Sequence, residues 1–348
     1  MFNDKPIILH IDICVNNSFR VLGSLNKLCY IYQMMLGFIF ALIVSVLFAV
    51  YAMPRKHAGA TNVILYTMWM GIAYFVCTII LISIVWGLGL ESPENLLSPY
   101  HLLTVLRGLI WVLGMATYNI AIDKIGLTRF NQWKNIQGPV GSLLILFFIV
   151  PALGLTISGI QLLYLTLGII VMFASALLFQ IKTNTEHAPQ NTKNTRLGII
   201  CALFCGVCFG ITATLNSWVS QPALVGGDVF TFAQLLYHSM SLIIFSAMIY
   251  MLFGKRGKRK ELFKVNKKTW LPIIAGCMFM VATLLTIYSY RLIDNNAIPW
   301  SITQLNALWT VLIGVFIYRE VSFKQHWLRL TAGTLMAVGA CILLFLAM

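Results

Sequence analysis

Runs of about twenty apolar residues, the length that crosses a bilayer core, recur from Met34 to the end of the chain with short polar breaks between them. The pattern predicts ten spans, at about 34–53, 62–90, 101–122, 129–150, 159–181, 197–219, 229–253, 270–293, 297–318 and 327–347. One clearly hydrophilic stretch, Lys182–Arg196 (KTNTEHAPQNTKNTR), divides five spans from five. The expected organisation is a tail at 1–33, a five-helix repeat at 34–181, a linker at 182–196 and a second five-helix repeat at 197–348. An odd number of spans makes the two halves enter the membrane from opposite faces, and similar features recur in them. Gly108 matches Gly276, the turn Asp123–Thr128 matches Asp294–Ala297, and Asn135-x-Gln137 matches Gln304-x-Asn306. The fold class is therefore an all-α integral membrane protein with ten transmembrane helices in a 5+5 inverted repeat, an arrangement that places a site at the midplane between the halves. Met1–Gln33 lacks the basic start, apolar core and cleavage site of a signal peptide; it is either an ordinary tail or an extension upstream of a working start near Met34.

Two spans carry polar groups at depth. Arg129–Gly141 (RFNQWKNIQGPVG) contains Asn131, Lys134, Asn135 and Gln137 ahead of Pro139, which is placed to kink the helix or free a carbonyl. At 100° per residue, Asn131, Asn135, Gly138 and Ser142 form one stripe, and Trp133, Gln137 and Gly141 another. Ile298–Trp309 (IPWSITQLNALW) repeats the style, pairing Trp300 with Gln304, and Thr303 with Asn306 and Thr310. Polar groups in lipid are costly, so such helices face protein or a water-filled path. Asn135, Gln137, Gln304 and Asn306 are thus expected to meet around one midplane cavity and contact substrate, the alternative role being hydrogen bonds between helices. Trp111, Trp133, Trp218, Trp300 and Trp309 are candidates to stack on a sugar face there, with interface anchoring as the alternative, whereas Trp86 and Trp327 sit where interface anchors sit. His238 is the one histidine well inside a span and is the proton-coupling candidate, with a packing histidine as the alternative. Lys134, Arg107 and Arg291 either snorkel to an interface or serve an anionic substrate.

Composition agrees with the pattern: 59% of the 348 residues are hydrophobic and 10% charged, with a mean hydropathy of +0.86. The net charge of +14 belongs to loops that set topology and meet anionic lipid, not to nucleic-acid binding. Most of the eight cysteines lie inside spans as small apolar residues. Cys201, Cys205 and Cys208 share a face but lack histidine or carboxylate neighbours, so no metal site and no cofactor is expected. The six histidines are scattered and no nucleophile has a base beside it, which argues against an enzyme.

Three stretches carry a family resemblance. Gly37–His57 (GFIFALIVSVLFAVYAMPRKH) resembles the opening helix, Gly108–Phe130 (GLIWVLGMATYNIAIDKIGLTRF) the third helix, and Leu197–Trp218 (LGIICALFCGVCFGITATLNSW) the start of the second half of the L-rhamnose–proton symporter and glucose/ribose uptake branch of the drug/metabolite transporter superfamily. Glu320 resembles the acidic residue that follows the ninth span in the wider superfamily. The resemblance implies the drug/metabolite transporter fold, peripheral fifth and tenth spans, and a central cavity to which Trp111 and Asn119 of the third helix are added. It also implies a secondary transporter of a small polar metabolite, foremost a sugar of the rhamnose, glucose or ribose type. The partners expected are that substrate, a proton or sodium ion and the lipid bilayer, with the protein a monomer or homodimer. The alternative is an exporter of amino acids or amphiphilic compounds. The membrane is the inner or plasma membrane. Of the 24 Lys and Arg, only Lys5, Arg20, Lys27, Arg107 and Arg291 fall on the side of the termini, so both termini are expected outside.

Overall fold

The computed structural model describes residues 23–51, 53–58, 62–88, 97–178, 192–225, 231–253, 268–317 and 323–347. The linker residues 182–191, most of the basic loop Gly254–Lys268, Glu320 and the tail before Gly23 lie outside the described residues, as does the side chain of Asn119. All regular structure among the described residues is helical. The main helices are α1 (Gly23–Val50), α2 (Val63–Gly87), α3 (His101–Lys134), α4 (Gln137–Leu144, prolonged by a π-helical turn, Ile145–Ile149), α5 (Gly159–Leu178), α6 (Thr192–Ser220), α7 (Thr231–Phe253), α8 (Trp270–Leu292), α9 (Ala297–Thr303), α10 (Asn306–Phe316) and α11 (Phe323–Leu346). Eight helices among the described residues are long and apolar enough to cross a bilayer, and the chain is a multi-pass membrane protein. The other two expected spans are not continuous helices: one is interrupted at Asn135-Ile136 and the other at Gln304-Leu305. α1 begins at Gly23, ahead of the span start expected at Met34, and the Tyr30 hydroxyl donates to Asp294 at 3.1 Å.

α3 is helical throughout but is not straight. The rings of Tyr118 and Phe130 are 4.4 Å apart, whereas twelve residues of straight helix advance by about 18 Å. Contacts with α6 locate the reversal. Gly114 meets Cys208 and Phe209, Ile125 meets Gly198, the Lys134 carbonyl meets Gly206, and Val140 meets Gly210. The chain therefore descends α6 to about Ile125 and climbs it again, turning where Asp123–Thr128 was expected to turn it. Gly206 and Gly210 form the GxxxG pair of α6, and their lack of side chains lets the broken segment Lys134–Gly141 lie against that helix.

Proline marks a helix start on each side of the crossing. Pro139 and Pro299 each occupy the first turn of a new helix, α4 and α9, where a missing N–H costs nothing. The Asn135 carbonyl, which position 139 cannot reach with a donor, accepts from Gly138 N at 3.2 Å instead. The second interruption is also closed by tighter bonds three residues apart, Gln304 N to Ser301 O and Ala307 N to Gln304 O, both at 3.1 Å. Pro139 thus starts a helix and does not kink one.

Helix pairings organise the bundle. α3 packs on α6 and α8 on α1; α4 packs on α6, and α9 and α10 on α1; α7 packs on α3, and α8 on α2. α2 meets α7, α4 meets α9, and α5 meets α11. Two apolar cores result. One is built around Tyr74, Trp111, Phe209 and Phe279, the other around Ile145, Tyr290, Trp300 and Leu344.

Candidate functional site

α4 and α9 cross where their helices are interrupted. Gln137 Nε2 donates to Gln304 Oε1 at 3.1 Å, the Ser142 and Ser301 hydroxyls are 2.8 Å apart, and the Trp300 indole donates to the Gly138 carbonyl at 3.2 Å. Gly141 presents no side chain to Trp300; a Cβ there would overlap the indole. The crossing is closely packed and polar, as the two polar stretches require.

A cavity of about 100 Å³ lies beside this crossing, between the two cores, several times the space of about 10–15 Å³ that one water needs. Its aromatic wall comes from Phe48 and Tyr51 of the α1 end, Trp111, Phe209, Phe279, Tyr290 and Trp300. Trp111 lies 5.2 Å from Phe279 and 5.9 Å from Phe209, ring centroid to ring centroid. Polar groups reach it from six helices: Arg107, Lys134, Gln137, Thr212, Asn216, His238, Thr283, Thr286 and Asn306. Aromatic faces with a few placed polar groups are the usual make-up of a small-molecule site. Arg107 is buried and donates from Nε to His238 Nδ1 at 3.2 Å and from Nη1 to Asn216 Oδ1. Because Nδ1 accepts that bond, His238 holds its proton on Nε2.

The predicted residues divide between this cavity and a smaller one. Trp111, Gln137, His238, Trp300 and Asn306 line the large cavity. Asn135 and Gln304 line the neighbouring space of about 10 Å³, with Gly138, Ser142, Ser301 and Met172. Gln137 and Gln304 therefore join the two spaces by their hydrogen bond. Trp300 and Asn306 would lie about 120° apart on an unbroken helix; the interruption at Gln304-Leu305 brings both to one wall. Trp309 lines neither cavity, its indole donating to Ser45 Oγ at 2.8 Å and tying α10 to α1. Trp218 also stays outside both, packed beside Val219 and Val225. Trp86, Trp133 and Trp327 are exposed on the bundle surface.

Several lining residues were not predicted, although a pattern marks them. Phe209, Thr212, Ala213 and Asn216 recur on one face of α6, and Phe279, Thr283, Thr286 and Tyr290 on one face of α8. Each set follows the helical spacing of three or four, and a threonine stripe inside an apolar helix is readable as a wall. Beyond the cavity, Gln221 and Ser217 engage Asn296 in the α8–α9 turn, and Gln221 Nε2 donates to the Tyr290 carbonyl at 2.6 Å. This polar knot fixes the end of α8 that carries Tyr290.

Comparison with known proteins places the chain in a family. The sugar transport protein family matches residues 100–347, more than half of the chain. A Listeria monocytogenes protein named as a sugar uptake protein is 20% identical over 234 residues, 67% of this chain and 74% of the relative. A protein of known crystal structure superposes with a TM-score of 0.63 at 14% identity, covering 90% of this chain and 96% of the other, which is a likeness of fold alone. The chain belongs to the sugar transport protein family and is a membrane transporter, not an enzyme.

Proposed function

We propose that the protein is a secondary transporter that binds a monosaccharide in the large cavity and passes it by alternating access. The observation that carries this reading is a cavity placed where two interrupted helices cross, lined by aromatic faces and amides. Trp111, Phe279 and Trp300 offer faces for the apolar side of a sugar ring. Gln137, Asn306, Asn216, Thr283 and Thr286 offer both donors and acceptors to hydroxyls. A thermal-shift screen of the purified protein against sugars, amino acids and amines tests it: sugars stabilise, and a response confined to amines or amino acids contradicts it.

The finer architecture we propose is ten spans in a 5+5 inverted repeat, as in the L-rhamnose and glucose/ribose uptake branch of the drug/metabolite transporters. Packing supports it, because the pairings hold when each span is exchanged for its counterpart five later: α3 on α6 answers α8 on α1, and α3 on α7 answers α8 on α2. Close approaches match as well. Gly37 receives Leu292 and Ile293 as Gly198 receives Lys124 and Ile125; Gly108 faces α7 at Ser241 as Gly276 faces α2 at Met70. The reversal near Ile125 supplies the turn that the repeat requires between the third and fourth spans.

Orientation follows from charge. With Arg107 buried in the cavity, the termini side carries still fewer topological charges, and both termini lie outside a plasma or inner membrane. Alkaline phosphatase fused after Gly257 is then inactive and fused after Met348 active; the reverse pair overturns the orientation. For energy coupling, a proton taken up by His238 at Nδ1 displaces the Arg107 N–H, linking protonation to rearrangement of the cavity wall. In His238→Gln, sugar uptake loses its response to an imposed proton gradient while exchange continues; an unchanged response removes His238 from that role.

A further inference from the structure

The large cavity carries two cations, Arg107 and Lys134, and among the described residues no Asp or Glu lines it. Arg107 is only 4% exposed, and the side chains bonded to it, His238 and Asn216, supply acceptors but no negative charge. An unbalanced cation inside a membrane protein is costly, and such a group marks a substrate or ion path. Arginine has five N–H donors in a planar fork; His238 and Asn216 hold the guanidinium by two of them and the neutral Tyr74 hydroxyl lies beside it, which orients the fork while leaving donors for a ligand. A second observation points the same way. The Tyr290 hydroxyl is fully buried in the wall of the same cavity and has no hydrogen-bond partner among the described residues. The site therefore offers unmet positive charge and an unmet hydroxyl beside the aromatic faces of Trp111 and Phe279.

We infer that the sugar taken by this cavity is anionic: a monosaccharide bearing a carboxylate or a phosphate, with that group on Arg107 and the ring against Trp111 and Phe279. This rests on the sugar-transport reading and narrows it. A planar guanidinium matches the paired oxygens of a carboxylate or phosphate, and Lys134, half-buried, supplies the second positive charge.

Isothermal titration of the purified full-length protein tests the inference with the uronic acids and 6-phosphates of glucose, galactose and mannose, each beside its neutral parent. The result expected is that at least one anionic sugar binds about tenfold or more tightly than its parent, as a charge-assisted contact provides. Which of the two anions does so identifies the group. In Arg107→Gln the ratio of the anionic sugar's affinity to that of its neutral parent falls toward one. Should that variant fail to fold, Lys134→Gln and Arg107→Lys are measured instead, and each narrows the preference. Parent sugars binding as tightly as their acids and phosphates overturn the inference and leave sugar transport standing. A preference that survives intact in Arg107→Gln also overturns it. Absence of binding by every sugar in the panel overturns both readings together.

Discussion

The crossing of α4 with α9 and the pairing of α5 with α11 are two contacts between helices of the same bundle, made on different terms. At the crossing, both helices are interrupted, side-chain amides meet, and space is enclosed beside them. At the α5–α11 pair, both helices are unbroken, Gly168 admits the Leu344 side chain, and Ser175 Oγ donates to the Gly333 carbonyl at 2.7 Å. Outward positions such as Ile170, Leu335, Val338 and Ile342 are exposed apolar residues, as lipid contact requires. The difference teaches that polar residues in mid-span do not merely join helices here. Where they coincide with a proline-started helix, they end regular structure and open a cavity; where one serine bonds a backbone carbonyl, the helices simply pack.

The largest effect is steric and sets the central α8–α2 interface against the α5–α11 edge. A Cβ at Gly276 would overlap the Met70 carbonyl oxygen, a backbone atom, whereas nothing lies within 4 Å of one at Gly339 on α11. Gly276→Leu is expected to cost about 1–3 kcal/mol or more through overpacking, read as a lower Tm and lower monodisperse yield in detergent. Gly339→Leu leaves both unchanged. Equal behaviour of the two variants would break the contrast between a fixed centre and a tolerant edge.

Next in size is the amide pair. Gln137→Ala or Gln304→Ala leaves the other amide buried without its partner, a loss of about 1–3 kcal/mol. Uptake rate should fall in both with expression intact, and the double substitution should cost less than the two losses added. Additive losses would mean that the two glutamines act separately. The smallest effect belongs to the edge: Ser175→Ala removes one interhelical hydrogen bond, worth about 0.6 kcal/mol in a membrane, and uptake per folded molecule stays at the wild-type rate. A large transport defect there would give the peripheral pair a part in the mechanism.

Much of this contrast was legible in the sequence. Apolar runs located the helices, and RFNQWKNIQGPVG and IPWSITQLNALW located the crossing, because amides and proline at membrane depth have few other uses. The division of those amides between two spaces was not legible, since it depends on where the helical phase is reset. Gln137 and Asn306 reach the large cavity while Asn135 and Gln304 reach the small one only after the interruptions turn the chain. Arg107 was ambiguous for a related reason. A cation one or two turns into a span can snorkel outward or point inward, and only the partners His238 and Asn216, more than a hundred residues away, decide it. The stripes on α6 and α8 were readable but are spread thinly among apolar residues, which hides them from a search for polar clusters.

The central claim, that the large cavity is the sugar site, is tested most directly by uptake of labelled monosaccharides, neutral and anionic, into proteoliposomes holding the purified protein, its Trp111→Ala and Asn306→Ala variants, and Trp309→Phe as a control outside the cavity. The account predicts that wild type and Trp309→Phe accumulate a labelled sugar, while the two cavity variants lose affinity by about tenfold, as losing a stacking face or a hydrogen bond to substrate implies. Uptake with unchanged affinity in both cavity variants would contradict it.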